Sequence, residues 1–260
     1  MIVKHKSSIS SRERVKKTFQ FEKTDRVPIN YSANPTIHSK LAKTLGINTS
    51  NLSNTNDVLE ILDVDFRSYG LAYTGPFLYK EIPGLNCNKI YGIYTKWIEN
   101  ESGGYEDYAY FPLDGADPEI IANYPVVDPD HFNYEEFSNR LKNAGERAAV
   151  IGGAGFGDII NHTGMLMGME NTLVNLMLED EATLTYTDRR LNMQLGILER
   201  QLKMSNGRVD VIWLGEDLGT QIAPMISLEM YKRIFRPRQQ RFIDLAKSYN
   251  IPVIIHGCGC

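Results

Sequence analysis

Val209-Asp210-Val211-Ile212-Trp213-Leu214-Gly215 is a short, nearly continuous apolar run, and Pro252-Val253-Ile254-Ile255-His256 repeats it after a helical stretch, Leu228 to Tyr249. Apolar strands that lack an alternating polar face read as parallel strands covered on both sides, and strand, helix, strand is the unit that builds such sheets. Upstream of this pair the alternation continues. Ala148 to Gly153 reads as a strand, and Tyr134 to Ala144, Met165 to Leu178 and Glu181 to Met204 read as helices. Nearer the start, Ser10 to Glu13 has the form of a capping box opening an amphipathic helix that feeds a strand at Arg26 to Asn30. Asp57 then caps a short helix before a strand at Val64 to Tyr69. Between Asn88 and Leu113 the period changes to two around Ser102-Gly103-Gly104, the pattern of a β-hairpin insertion.

The chain is therefore expected to be α/β, with core strands near residues 27, 65, 150, 212 and 254. Barrel-like and doubly wound sheets both fit that alternation, but a (β/α)8 barrel needs eight strands and only about five are legible. A complete open sheet would leave the apolar run at 253–255 poorly covered, so residues 1–260 read as a single barrel domain truncated at its C-terminus.

Composition excludes several function classes. A chain that is 42% hydrophobic and 23% charged is an ordinary globular one, and its net charge of −4 lacks the positive field a general nucleic-acid binder needs. No stretch approaches the roughly 18 to 20 apolar residues of a membrane helix, and a cytoplasmic protein is expected. Three cysteines, Cys87, Cys258 and Cys260, are too few for a disulfide framework, which in a reducing compartment points toward metal binding or catalysis.

The chemistry-bearing residues cluster at the ends of the two strands quoted first. In His256-Gly257-Cys258-Gly259-Cys260 the imidazole and the first thiol are two residues apart, so both project from one side of a strand's carboxyl end. An imidazole nitrogen and a thiolate make half of a tetrahedral zinc site; the competing reading is a core histidine beside a small buried thiol. Cys260 would complete the set only if the chain turned back, since i, i+2 and i+4 of one strand span about 13 Å. A third ligand is thus expected beyond residue 260. Glu216 and Asp217 leave the preceding strand on the same rim, as metal ligand, orienter of His256 or proton carrier, or simply as helix-capping acids; Asp217 is the favoured candidate. Gly152-Gly153-Ala154-Gly155-Phe156-Gly157 lacks the spacing of a nucleotide cradle. Its Gly153 and Gly155 instead leave room for a large flat ligand, with Gln221 offering hydrogen bonds from the next loop. The cations Lys232 to Arg241 read as a solvated helix face, and the hairpin aromatics as a lid or as ordinary cross-strand pairs.

Ser11-Arg12-Glu13-Arg14-Val15, Thr24-Asp25-Arg26-Val27-Pro28, Gly168-Met169-Glu170-Asn171, Glu216 to Gln221 with Pro224-Met225-Ile226-Ser227, and His256-Gly257-Cys258-Gly259 together resemble the uroporphyrinogen decarboxylase superfamily. The closer likeness is to its corrinoid-linked methyltransferase branch, the methylcobamide:coenzyme M methyltransferases. The resemblance implies a barrel that continues past residue 260, His256 and Cys258 as the first two zinc ligands, and a later cysteine as the third. It also implies that zinc activates a small-molecule thiol, which takes a methyl group from a corrinoid carried by a partner protein. Asp217 would orient the metal or the thiol, the flat corrinoid would lie at the barrel mouth, and the 260-residue chain alone would be inactive. The decarboxylases of the superfamily use no metal and carry an arginine-bearing stretch after the first strand. Here that stretch reads Tyr31-Ser32-Ala33-Asn34-Pro35, without arginine, so tetrapyrrole decarboxylation is the alternative, beside a non-catalytic corrinoid- or tetrapyrrole-binding module.

Overall fold

A computed structural model describes residues 7–47, 56–101 and 103–259. Helices α1 (Ser11–Phe19), α2 (Pro35–Thr44) and α3 (Asn56–Ile61) precede strand β1 (Phe66–Ser68). Strands β2 (Asn86–Cys87), β3 (Tyr94–Ile98) and β4 (Tyr105–Tyr110) then form a three-stranded antiparallel sheet. Helices α4 (Pro118–Ala122) and α5 (Tyr134–Lys142) lead to β5 (Ala148–Gly152), and α6 (Ile160–Met167), α7 (Met169–Met177) and α8 (Glu181–Met204) lead to β6 (Val211–Gly215). The single turn α9 (Leu228–Met230) runs through a π-helical turn at Tyr231–Phe235 into α10 (Arg236–Ser248), and β7 (Val253–His256) follows.

Four strands form one parallel sheet in the order β1-β5-β6-β7, with Phe66 opposite Ala148, Val150 opposite Val211 and Ile212 opposite Val253. Spatial order follows chain order without the reversal that marks a doubly wound sheet, so the fold is α/β with a progressive parallel sheet. Its two faces are covered differently. Ala149, Ile151 and Ile212 pack with Phe137, Leu198, Phe235 and Phe242 of the surrounding helices in the main core, all buried. On the opposite face Val15 of α1 packs against Ala148, Val150 and Val211. Because β6 lies between two neighbours and two layers, Val211, Ile212 and Leu214 are buried and Trp213 partly so; β7 is an edge, and Ile254 and Ile255 stay 37% and 51% exposed.

A buried ion network ties the amino-terminal ends of the strands to α1. Arg14 pairs with Asp65 at 2.5 Å and with Asp25 at 2.7 Å, and Arg26 reaches Asp65 at 2.5 Å. Asp210, just ahead of β6, takes Arg12 at 2.7 Å and Arg208 at 2.8 Å and accepts from the Ala149 N–H. The charged residues of the 11–15 and 24–28 stretches, Arg12, Arg14, Asp25 and Arg26, are thus spent on this end of the sheet.

Several expectations are corrected. No strand forms near residue 27: Pro28 has no N–H to offer a ladder, Val27 is 79% exposed, and the stretch is tied instead by the Asp65 N–H to the Ile29 carbonyl, the Ile29 N–H to the Asp65 carboxylate, and Arg26 to Asp63 and Asp65. The parallel strands among the described residues therefore number four, not five. The helix expected from Met165 to Leu178 starts earlier and breaks at Gly168, which has φ +84°. Pro237 lies at the start of α10, where an unbroken α-helix would clash with the carbonyl four residues back, and the π turn absorbs it. Asp57 lies inside the first turn of α3, whose capping position falls outside the described residues. The cations of α10 are not merely solvated, since Arg238 pairs with Asp188 of α8 at 2.7 Å and Arg241 donates to Asn192. The hairpin is found as β3 and β4, extended by β2; Ser102 lies outside the described residues. Among the described residues, no helix is long and apolar enough to cross a membrane.

Candidate metal centre

Strands β6 and β7 end side by side. Gly215 pairs with His256, and the Glu216 N–H donates to the His256 carbonyl at 3.0 Å, so both chains leave the sheet at the same level. Beyond that point the Cys258 N–H donates to Asp217 Oδ1 at 2.8 Å. His256 Nε2 lies 3.5 Å from the same oxygen and 3.2 Å from Cys258 Sγ. One ligand atom from each of Asp217, His256 and Cys258 falls within 4.8 Å of the others. Two glycines permit this approach: a Cβ on Gly215 would lie 1.5 Å from the Ala154 carbonyl oxygen, and Gly259, at φ +93°, crosses against Gly219.

The donor set is one nitrogen, one sulfur and one carboxylate oxygen, which suits zinc, and three protein ligands with a free fourth position is the pattern of a catalytic site. Asp217 and His256 are half-buried and Cys258 is exposed, so the cluster is open to solvent on the Cys258 side. Burial pushes the Asp217 carboxyl up, but hydrogen bonds from Asn161 and Cys258 and the nearby His256 outweigh it and hold it below the ordinary carboxylate range. Cys258 is displaced the other way: its hydrogen bond to the Asp217 carboxylate, with a small contribution from burial and the charge itself, raises the thiol above its usual value. Without a cation the thiol is therefore a poor nucleophile. A divalent ion would reverse that, because a coordinating thiol gives up its proton.

Glu216 occupies a different environment. Only 2% exposed, its carboxylate accepts from the N–H groups of Ile159 at 2.7 Å and Ile160 at 3.0 Å and so staples the first turn of α6 to the end of β6. Burial and the neighbouring Asp158 charge push its pKa well up. It is not among the clustered ligands.

Two residues not singled out from the sequence complete the site. Asn161 Nδ2 donates to Asp217 Oδ2 at 2.9 Å and to Asp158 Oδ2 at 3.1 Å. Asp158, 2% exposed, also accepts from the His162 N–H at 3.0 Å, and its own carbonyl accepts from the buried Arg190. The available sequence signal was an Asp three residues ahead of an Asn at a helix start, which is common without any functional role.

Gly153, Gly155 and Gln221 lie in the loops after β5 and β6, on the same rim. A Cβ on Gly153 or on Gly155 would meet nothing within 4 Å, whereas one on Gly152 would lie 2.2 Å from the Trp213 carbonyl oxygen. Room is thus present at the two singled-out positions, and close chain packing at the glycines beside them. Gln221 is exposed in a turn closed by the Thr220 N–H donating to the Ala223 carbonyl at 2.8 Å. Cys260 lies outside the described residues. A cavity of about 760 Å3 opens beside β1 between Tyr31, His38, Arg67 and Arg140 and includes none of the clustered ligands. No protein-family model matches the chain, and no curated protein matches it significantly.

Proposed function

We propose that this chain forms part of a zinc-dependent methyltransferase of the corrinoid-linked branch of the uroporphyrinogen decarboxylase superfamily, moving a methyl group from a corrinoid to a small-molecule thiol. The observation that carries the reading is the convergence of Asp217, His256 and Cys258 at the carboxyl ends of adjacent parallel strands. Zinc bound there would act as a Lewis acid toward a substrate thiol and hold it as a thiolate at neutral pH. His256 and Cys258 would hold the ion. Asp217 would serve as a further ligand or orient the thiol, and the exposed side of Cys258 leaves the approach open.

A methyl-corrinoid, when bound, would supply the methyl group as an electrophile, which the thiolate held at the Asp217, His256 and Cys258 cluster would accept on sulfur while the bonding electron pair remained with the corrinoid. The thiol proton leaves to solvent at the open rim. The corrinoid arrives on a partner protein, and Gly153, Gly155 and Gln221 are the rim positions assigned to contact it. A (β/α)8 barrel is the architecture that fits a progressive parallel sheet, and the exposed Ile254 and Ile255 on the β7 edge support pairing with a further strand. A cytoplasmic setting accords with the free thiols of Cys87 and Cys258.

The test is metal content and turnover of the protein as its gene encodes it. About one zinc per chain is expected, lost in His256→Ala and Cys258→Ala, together with zinc-dependent demethylation of methylcobalamin by an added thiol. Protein that stays metal-free after purification in the presence of zinc, or that keeps zinc in a variant combining His256→Ala with Cys258→Ala, would overturn the reading.

A further inference from the structure

The two oxygens of Asp217 are divided between different partners. Oδ1 accepts from the Cys258 N–H and faces His256, while Oδ2 is taken by the Asn161 amide at 2.9 Å. Both hydrogens of that amide are committed, the second to Asp158 Oδ2 at 3.1 Å. The amide orientation is fixed by chemistry: turned over, its oxygen would face two carboxylates. Its platform is fixed as well. Asn161 lies in the first turn of α6, where Glu216 holds the Ile159 and Ile160 N–H groups and the buried Asp158 holds that of His162.

Resting on the metal-centre reading above, we propose that Asn161 is the positioning residue of the centre. By occupying Oδ2 it makes Asp217 a one-oxygen ligand through Oδ1. A carboxylate free at both oxygens can chelate, and a chelating carboxylate would raise the coordination number and fill the position a substrate thiol needs. Asn161 prevents that without touching the ion.

The experiment uses cobalt(II), added alone to the metal-free protein as its gene encodes it, because its visible absorption is strong when four-coordinate and weak when five- or six-coordinate. Wild type is expected to give the strong four-coordinate spectrum. Asn161→Ala is expected to give a weaker, higher-coordinate spectrum and zinc affinity lower by about 10- to 100-fold, the usual effect of losing a partner that orients a ligand. Asn161→Asp removes the donors at nearly constant volume and is expected to shift the spectrum in the same direction; it serves if the alanine variant does not fold. Asp217→Ala combined with Asn161→Ala should show no additional effect of the Asn161 change. If cobalt binds wild type and the folded Asn161 variants with one spectrum and one affinity, the positioning role is wrong and the metal centre stands. If wild type binds no metal, the metal centre fails and takes the positioning role with it.

Discussion

The backbone N–H of Cys258 donates to Asp217 Oδ1 over 2.8 Å, so the ends of two neighbouring strands are fastened to each other through a candidate ligand. The same carboxylate raises the Cys258 thiol. Asp217→Asn removes the charge while keeping an acceptor oxygen, and the thiol should ionise at lower pH. Alkylation of metal-free protein with iodoacetamide across pH, with fragment-level peptide mapping to separate Cys258 from Cys87 and Cys260, would show the Cys258 midpoint moving down in the variant. An unmoved midpoint would mean that Asp217 does not govern the thiol.

Glu216 makes a prediction of opposite character, on stability. Burial and the Asp158 charge raise its folded-state pKa well above the ordinary glutamate value. A carboxyl raised on folding contributes stability that is complete below its unfolded pKa and is lost as pH rises through the folded one. Wild type should therefore lose stability from weakly acidic toward alkaline pH. Glu216→Gln, which does not titrate, should show a shallower loss over that window, whatever its absolute stability. Urea midpoints at several pH values decide it: parallel curves for the two proteins would place the Glu216 proton elsewhere.

The contrast between these two adjacent acids also shows what a sequence can reveal. That β6 is a buried parallel strand was legible from Val211-Ile212, because burial on both faces removes the polar alternation that any other strand keeps. Strand periodicity put His256 and Cys258 on one side, but β7 ends at His256, and it is the Cys258 N–H bond to Asp217 that brings the thiol beside the imidazole. Asp217 was favoured over Glu216 from the sequence, but the reason that Glu216 turns away from the clustered donors was not legible. It lies in α6, whose first turn takes Glu216 as its staple and supplies Asn161 to Asp217 from 56 residues away. The extended Val27-Pro28-Ile29 stretch misled for a related reason: an extended run feeding from a helix suggests a strand, but a strand also needs a ladder, and Ile29 meets only Asp65, through one backbone and one side-chain bond.

The ion network at the other end of the sheet should dominate the acid limb of stability. Asp65 is fully buried, and although burial pushes its carboxyl up, Arg26, the Ile29 N–H and their neighbours more than compensate, leaving it below the ordinary value. Stability from such a group is present above the unfolded pKa and is lost as pH falls through the folded one. Asp65→Asn takes a buried carboxylate from both Arg26 and Arg14, the latter 1% exposed and left with Asp25, and should cost about 3 kcal/mol at neutral pH. The variant should also lose less further stability in acid than wild type does. Denaturant titrations near neutrality and in acid measure both effects, and a neutral-pH cost under about 1 kcal/mol would show that Asp25 and water suffice to compensate Arg14 without Asp65.

Glycine substitutions separate the packing role of the rim from its binding role. Gly215→Ala would drive a Cβ to 1.5 Å from the Ala154 carbonyl oxygen, so the loop after β5 would have to lift off β6. Because the Gly215 N–H also donates to the Phe156 carbonyl at 3.0 Å, that displacement would break a backbone bond as well, and a loss of roughly 2 kcal/mol or more is expected. Gly153→Ala and Gly155→Ala meet open space and should leave stability within about 0.5 kcal/mol of wild type. If these two positions face the corrinoid, the same alanines should weaken methylcobalamin binding, read as the titrated absorbance change, while the melting temperature stays put. Unchanged binding in both would remove Gly153 and Gly155 from the binding surface; a fall in stability instead of binding would show that the loop packs more tightly than its open surroundings indicate.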